Sequence, residues 1–126
     1  MSRDFRKLRV FQLADELLLR VYRSSSGFPP AERFSLQAQL RRAALSTSAN
    51  IVEGSARRTT REYVNFINIA AGSATEARYL ADVAGRLGYL LDEEANELVR
   101  RYTELSAQLQ ALLTALSSEP GRLSKP

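Results

Sequence analysis

In the last third of the chain, Leu91, Ala95, Leu98, Tyr102, Leu105, Leu109, Leu112 and Leu116 recur at alternating spacings of four and three. That rhythm is the one left-handed helix packing selects, because it holds one apolar seam against neighbouring helices along its whole length. Helical periodicity is nearly continuous elsewhere and is broken in three places, with neither strand-like alternation nor a useful internal repeat.

The breaks divide the chain into helices. From about Phe5 to Arg23, apolar residues including Leu8, Phe11, Leu17, Leu18 and Val21 form a stripe wide enough to touch two neighbours. Ser24-Ser25-Ser26-Gly27 and Pro29-Pro30 stop it. A second helix is expected from near Ala31 to Gly54, with proline preorganising its first turn. Thr59 and Glu62 have the spacing of a capping box and open a third helix that runs to a C-cap at Gly88. Asp92 then caps the fourth. The expected fold is all-α, an antiparallel up-and-down four-helix bundle over residues 1–116, with residues 117–126 a flexible C-terminal tail.

The middle helices carry more polar groups than a simple bundle needs. On the third, Tyr63, Ala70, Ala74, Ala77, Ala81 and Ala84 make a narrow stripe that permits close approach. A second stripe of Phe66, Ile69, Leu80, Val83 and Leu87 contains Ser73 and Glu76. A buried carboxylate there is costly unless donors satisfy it. On the second helix Leu36, Leu40, Ala43, Thr47 and Ile51 share the core face, flanked by Arg42, Ser46, Asn50 and Glu53. A buried or half-buried polar cluster of Arg42, Asn50, Glu53, Ser73 and Glu76 is therefore expected. Leu45 and Val52 point away from the core, which predicts a subunit interface there.

The 126-residue chain has the size of one domain and ordinary hydrophobic (44%) and charged (25%) fractions. It has no histidine, cysteine or tryptophan, so the commonest general base, metal ligand and thiol nucleophile are all missing. Ferritin-like di-iron sites need Glu-x-x-His pairs, Glu53 and Glu76 lie among arginines and alanines, and no glycine-rich phosphate loop is present. A non-enzymatic protein without metal or cofactor is expected. No run approaches the roughly 20 apolar residues of a membrane span, and no secretory signal opens the chain, so a cytoplasmic protein is expected. The net charge of +4 conceals an asymmetry: residues 1–61 hold 12 Lys and Arg against 5 Asp and Glu, and the remainder holds 6 against 9. The positive half is almost all arginine, whose planar fork suits phosphate and carboxylate.

Several of these segments together resemble the bacterial 23S rRNA-intervening-sequence proteins. The carriers are Leu8-Arg9-Val10-Phe11, Phe28-Pro29, Gln39-Leu40-Arg41-Arg42-Ala43-Ala44 and Asn50-Ile51-Val52-Glu53-Gly54. Arg57, Phe66, Ile69-Ala70, Gly72-Ser73, Glu76 and Leu87-Gly88-Tyr89 continue the pattern. One departure is Ser46-Thr47-Ser48 where the family usually has Ser-Ile-Pro, which restores an N–H donor and implies a straighter second helix. The resemblance implies a cytoplasmic bundle assembling into a homo-oligomeric ring, typically a pentamer. It also implies a fold similar to the accessory protein of diversity-generating retroelements, which binds nucleic acid beside a reverse transcriptase.

Two functions follow as expectations. The first is a homo-oligomer that binds RNA or DNA through phosphate contacts without strong sequence readout, using Arg6, Lys7 and Arg9, Arg41, and Arg57, Arg58 and Arg61. The structural alternative for Arg41 and Arg42 is ion pairing within or between subunits. The second is a protein–protein scaffold or accessory subunit that docks a partner such as a reverse transcriptase.

Overall fold

The computed structural model describes residues 4–117. Four helices make up the bundle: α1 (Arg9–Ser25), α2 (Leu36–Ser55), α3 (Thr60–Arg86) and α4 (Asp92–Ser117). Short 3₁₀ turns at Phe5–Lys7 and Pro30–Glu32 precede α1 and α2. Each helix packs on the next, and α4 closes back on α1, so the chain runs up, down, up and down. The described residues contain no strand. Ser117, the first residue of the expected tail, is the last residue of α4, and residues 118–126 lie outside the described residues.

The helix ends differ from the sequence expectation in instructive ways. The first segment is two pieces: Asp4 accepts from the backbone N–H of Arg6 and caps the 3₁₀ turn, and Leu8 is extended before α1 begins. The Pro29-Pro30 segment likewise makes its own turn, so α2 begins at Leu36 rather than near Ala31. At α3 the Thr59 hydroxyl accepts from the N–H of Glu62, the cap that the spacing predicts. Its other end is a Schellman motif, with Tyr89 N–H bonded to Ala84 C=O at 2.9 Å and Gly88 N–H to Gly85 C=O at 3.0 Å. Gly88 supplies the required left-handed φ of +78°. Asp92 is the first residue of α4 rather than a residue ahead of it. The N–H of Ala95 bonds the carbonyl of Leu91.

The core follows the α4 seam. Leu98, Tyr102, Leu105 and Leu109 are fully buried, against Leu17 and Val21 of α1, Leu40 and Ile51 of α2 and Ile67 of α3. Ala70, Ala74, Ala77, Ala81 and Ala84 are also fully buried, so α3 approaches its neighbours closely. Two glycines sit at close helix contacts. A Cβ at Gly85 would lie 2.5 Å from that of Ala95, and one at Gly54 would lie 2.8 Å from that of Phe66. Leu91 departs from the seam at 81% exposure because it precedes the helix. The stripe of larger α3 residues faces outward, with Ile69 and Leu87 about half exposed and Phe66, Leu80 and Val83 partly buried.

Polar pairs fasten the α1–α4 seam. Arg20 donates twice to the Glu94 carboxylate at 2.8 Å, Ser24 donates to the same carboxylate, and Arg101 reaches Glu16 at 3.0 Å. The hydrogen bond from Arg20 holds the Glu94 carboxyl below its ordinary pKa, against the opposing effect of partial burial.

Candidate nucleic-acid interface

The up-and-down topology decides which cations share a surface. The start of α1 and the α2–α3 connection lie at the same end of the bundle, and the Phe5–Lys7 turn packs on both α1 and α2. Arg6, Lys7 and Arg9 therefore share that end with Arg57, Arg58 and Arg61, although some fifty residues separate the two groups in the chain. Five of these six are exposed, Arg57 being the half-buried exception.

Hydrogen bonding sorts them further. Arg6 bonds Asp4 at 3.1 Å, which lowers the Asp4 pKa and raises that of Arg6. Arg57 sits 3.4 Å from Glu53, with its guanidinium 5.3 Å above the Phe66 ring, so it braces the hairpin. Lys7, Arg9, Arg58 and Arg61 form no ion pair among the described residues. At this end of the bundle, among the described residues, these four are the cations the fold leaves for another molecule.

Arg41 does not join this end. Its Nε donates to Ser25 Oγ at 2.8 Å, its Nη2 donates to the Tyr22 carbonyl at 3.0 Å, and its guanidinium lies 4.7 Å over the Tyr22 ring. It satisfies a carbonyl near the α1 C-terminus and ties α2 to α1, a structural use of the side chain.

The expected polar cluster forms only in part. Ser46 Oγ and Ser73 Oγ are 2.8 Å apart, and Asn50 Nδ2 donates to the Ser46 carbonyl and hydroxyl at 2.8 and 3.1 Å. Arg42, Glu53 and Glu76 stay outside it. Arg42 is exposed and reaches Gln39 at 3.3 Å, Glu53 pairs with Arg57, and Glu76 is exposed with no ion pair among the described residues. The expectation of a buried Glu76 is therefore corrected for the single chain. Its stripe turns outward, so the carboxylate keeps its water and needs no compensating donor. Leu45 is 48% exposed and Val52 half-buried, both on the outer side of α2 as their positions predict.

The sequence pattern singles out neither Arg33 nor Phe34, and it counts Tyr22 only as part of the first helix's apolar stripe. Together with Arg41, Arg42 and Leu45 they line an open cleft of about 420 Å³ between α1 and α2. Phe34 is 86% exposed, the most exposed large apolar residue described. A usable signal was Ser35, an N-cap residue type just before the first core leucine, which places Phe34 outside the helix.

Among the described residues no group of three or more His, Cys, Asp or Glu could hold a metal ion. No helix among them is long and apolar enough to cross a membrane.

These features define an all-α, up-and-down four-helix bundle with an arginine-rich end. The family model of the 23S rRNA-intervening sequence protein matches residues 6–111, and the chain belongs to that family. Among solved structures, it is similar to a protein of unknown function from the S23 ribosomal protein family of Bacteroides thetaiotaomicron VPI-5482. The TM-score is 0.76 at 23% identity, over 82% of this chain and 97% of the other, a likeness of fold. No curated protein matches the chain.

Proposed function

We propose that the protein is a non-enzymatic, cytoplasmic homo-oligomer, a ring of five subunits, that binds RNA or DNA through phosphate contacts without strong sequence readout. The observation that carries this is the gathering of Lys7, Arg9, Arg58 and Arg61 at one end of the bundle, exposed and without ion pairs among the described residues. Cations with no internal partner keep all their donors for a polyanion, and repetition around a ring multiplies the field.

Assembly draws support from two dissimilar outward faces beside α2. One carries Leu45 and Val52, and the other carries Ile69, Leu80 and Val83 of α3, with Leu87 at its C-cap, beside the Ser46–Ser73 contact. Unlike faces pair head to tail, and head-to-tail contacts close into rings when the rotation permits.

Light scattering on the full chain, with electrophoretic binding measured across salt concentrations, tests both parts. The expected results are a multimeric mass and an affinity whose logarithm falls by about 0.9 per phosphate contact per logarithm of salt. Arg58→Gln with Arg61→Gln should flatten that slope. A monomeric mass would refute the assembly, and binding indifferent to salt would refute the phosphate contacts.

A further inference from the structure

The Phe34 cleft is built rather than incidental. On one side Phe28 is buried and packs on Tyr89, with ring centroids 5.7 Å apart. Glu32 then fixes the turn: its carboxylate accepts from Tyr89 Oη at 3.1 Å and from the Leu36 N–H at 3.2 Å. On the other side α2 begins at once with Leu36 in the core. Between these anchors Phe34 projects into solvent, 86% exposed, where its ring adds nothing to the core. The Arg33 guanidinium lies 5.3 Å from the ring centroid, and the Arg41 guanidinium lies over Tyr22 on the opposite wall. Three arginines and no carboxylate line the cleft.

A held aromatic face among cations suits a ligand that has both a flat π-surface and negative charge. We propose that this cleft binds an unpaired nucleotide of a single-stranded nucleic acid, with the base stacked on Phe34 and the adjoining phosphate on Arg33 and Arg42. This rests on the nucleic-acid reading above and sharpens it from any polyanion to unpaired strands. A base inside a duplex cannot offer its face, whereas every unpaired base has one, so the contact selects strandedness without reading sequence. Arg42 is exposed with a single long contact to Gln39, which leaves most of its donors available. A second copy of the chain is the competing occupant, because Leu45 at the edge of the cleft also belongs to the proposed subunit face and Glu76 on α3 would complement the guanidiniums, so the test includes the mass in solution.

The test uses the full chain, fluorescein-labelled 12-mers of oligo(U) and oligo(dT), and a 12-base-pair duplex. Stacking of about 1–3 kcal/mol per base corresponds to a loss of roughly 5- to 150-fold in single-strand affinity for Phe34→Ala, with duplex affinity unchanged. The exposed ring leaves no cavity when removed, so the variant should melt like the parent. Phe34→Trp adds a single tryptophan, excited selectively over the chain's tyrosines, and unlabelled oligo(U) or oligo(dT) should quench it while the duplex should not. The two oligonucleotides distinguish RNA from DNA as the preferred strand. If Arg58→Gln with Arg61→Gln weakens single-strand binding but Phe34→Ala does not, the cleft proposal fails and the general reading stands. If Phe34→Ala lowers the mass in solution, a second copy covers the ring and the proposal fails. If the parent binds neither oligonucleotide nor duplex at low salt, both readings fall together.

Discussion

Gly85 offers the sharpest test of how the bundle closes, because one methyl group placed there has a cost that can be worked out. A Cβ at this position would sit 2.5 Å from the Cβ of Ala95, against roughly 3.5–4.0 Å for an unstrained carbon pair. Neither atom is the end of a flexible side chain, so α3 and α4 would have to part by about 1 Å locally. Overpacking of this kind costs about 1–3 kcal/mol, and the rigidity of both partners places Gly85→Ala toward the upper end. The better helix propensity of alanine offsets about 1 kcal/mol, leaving a net loss of about 1–2 kcal/mol. Thermal melts at fixed protein concentration should show a fall in Tm of roughly 3–10 °C. Ala95→Gly alone should cost about 1 kcal/mol through propensity. In the double variant the methyl moves from one helix to the other and the contact is restored, so its stability should return close to the parent. The single losses therefore should not add. If they do add, or if Gly85→Ala stabilises the protein, the close α3–α4 contact is not what keeps glycine there.

Two further outcomes follow from the polar groups of α4. Tyr102 is fully buried, its hydroxyl has no hydrogen-bond partner among the described residues, and burial pushes its pKa well above the ordinary value. Tyr102→Phe should therefore leave stability unchanged or raise it by up to about 1 kcal/mol in denaturant melts, and a clear loss would show the hydroxyl to be bonded. Glu94→Gln should cost about 1–2 kcal/mol at pH 7, discounted for the partial exposure of the Arg20 pair. Because the folded-state pKa of Glu94 is depressed, that contribution is present above its unfolded value of about 4.3 and is lost as pH falls through the lower folded value. The gap between parent and variant should accordingly narrow as pH falls below that unfolded value, and a gap independent of pH would contradict the ion pair.

Periodicity made the four helices legible, together with the α4 seam from Ala95 to Leu109 and the alanine stripe of α3. It states which residues share a face, but not whether that face turns inward. Ile67, fully buried, belongs to neither stripe recognised on α3, whereas Ile69 in the second stripe is about half exposed. In the single chain Glu76 is exposed for the same reason, since the stripe it shares with Leu80 and Val83 lies at the edge of the core rather than within it. Phe34 was hidden by a helix boundary: extending α2 back to Ala31 makes it one more apolar residue on a helix, and starting α2 at Leu36 makes it a side chain held in solvent.

Arginine function was the least legible layer, because it depends on which donors the fold has already used. A guanidinium that braces the bundle can reach a phosphate only by giving up hydrogen bonds worth about 0.5–1.5 kcal/mol each, more when the partner is charged. Arg41, with bonds to Ser25 and Tyr22, and Arg57, paired with Glu53, would gain little from the exchange. Lys7, Arg9, Arg58 and Arg61 have no ion pair to surrender among the described residues. One bundle end engaging a phosphate with each of these four gives a salt slope of about −3 to −4. In a ring, a strand that crosses several subunits multiplies that slope by the number touched. A measured slope near the single-subunit value, in an assembly shown to be multimeric, would therefore mean that each subunit binds its own segment. A severalfold larger value would mean that one strand tracks around the ring.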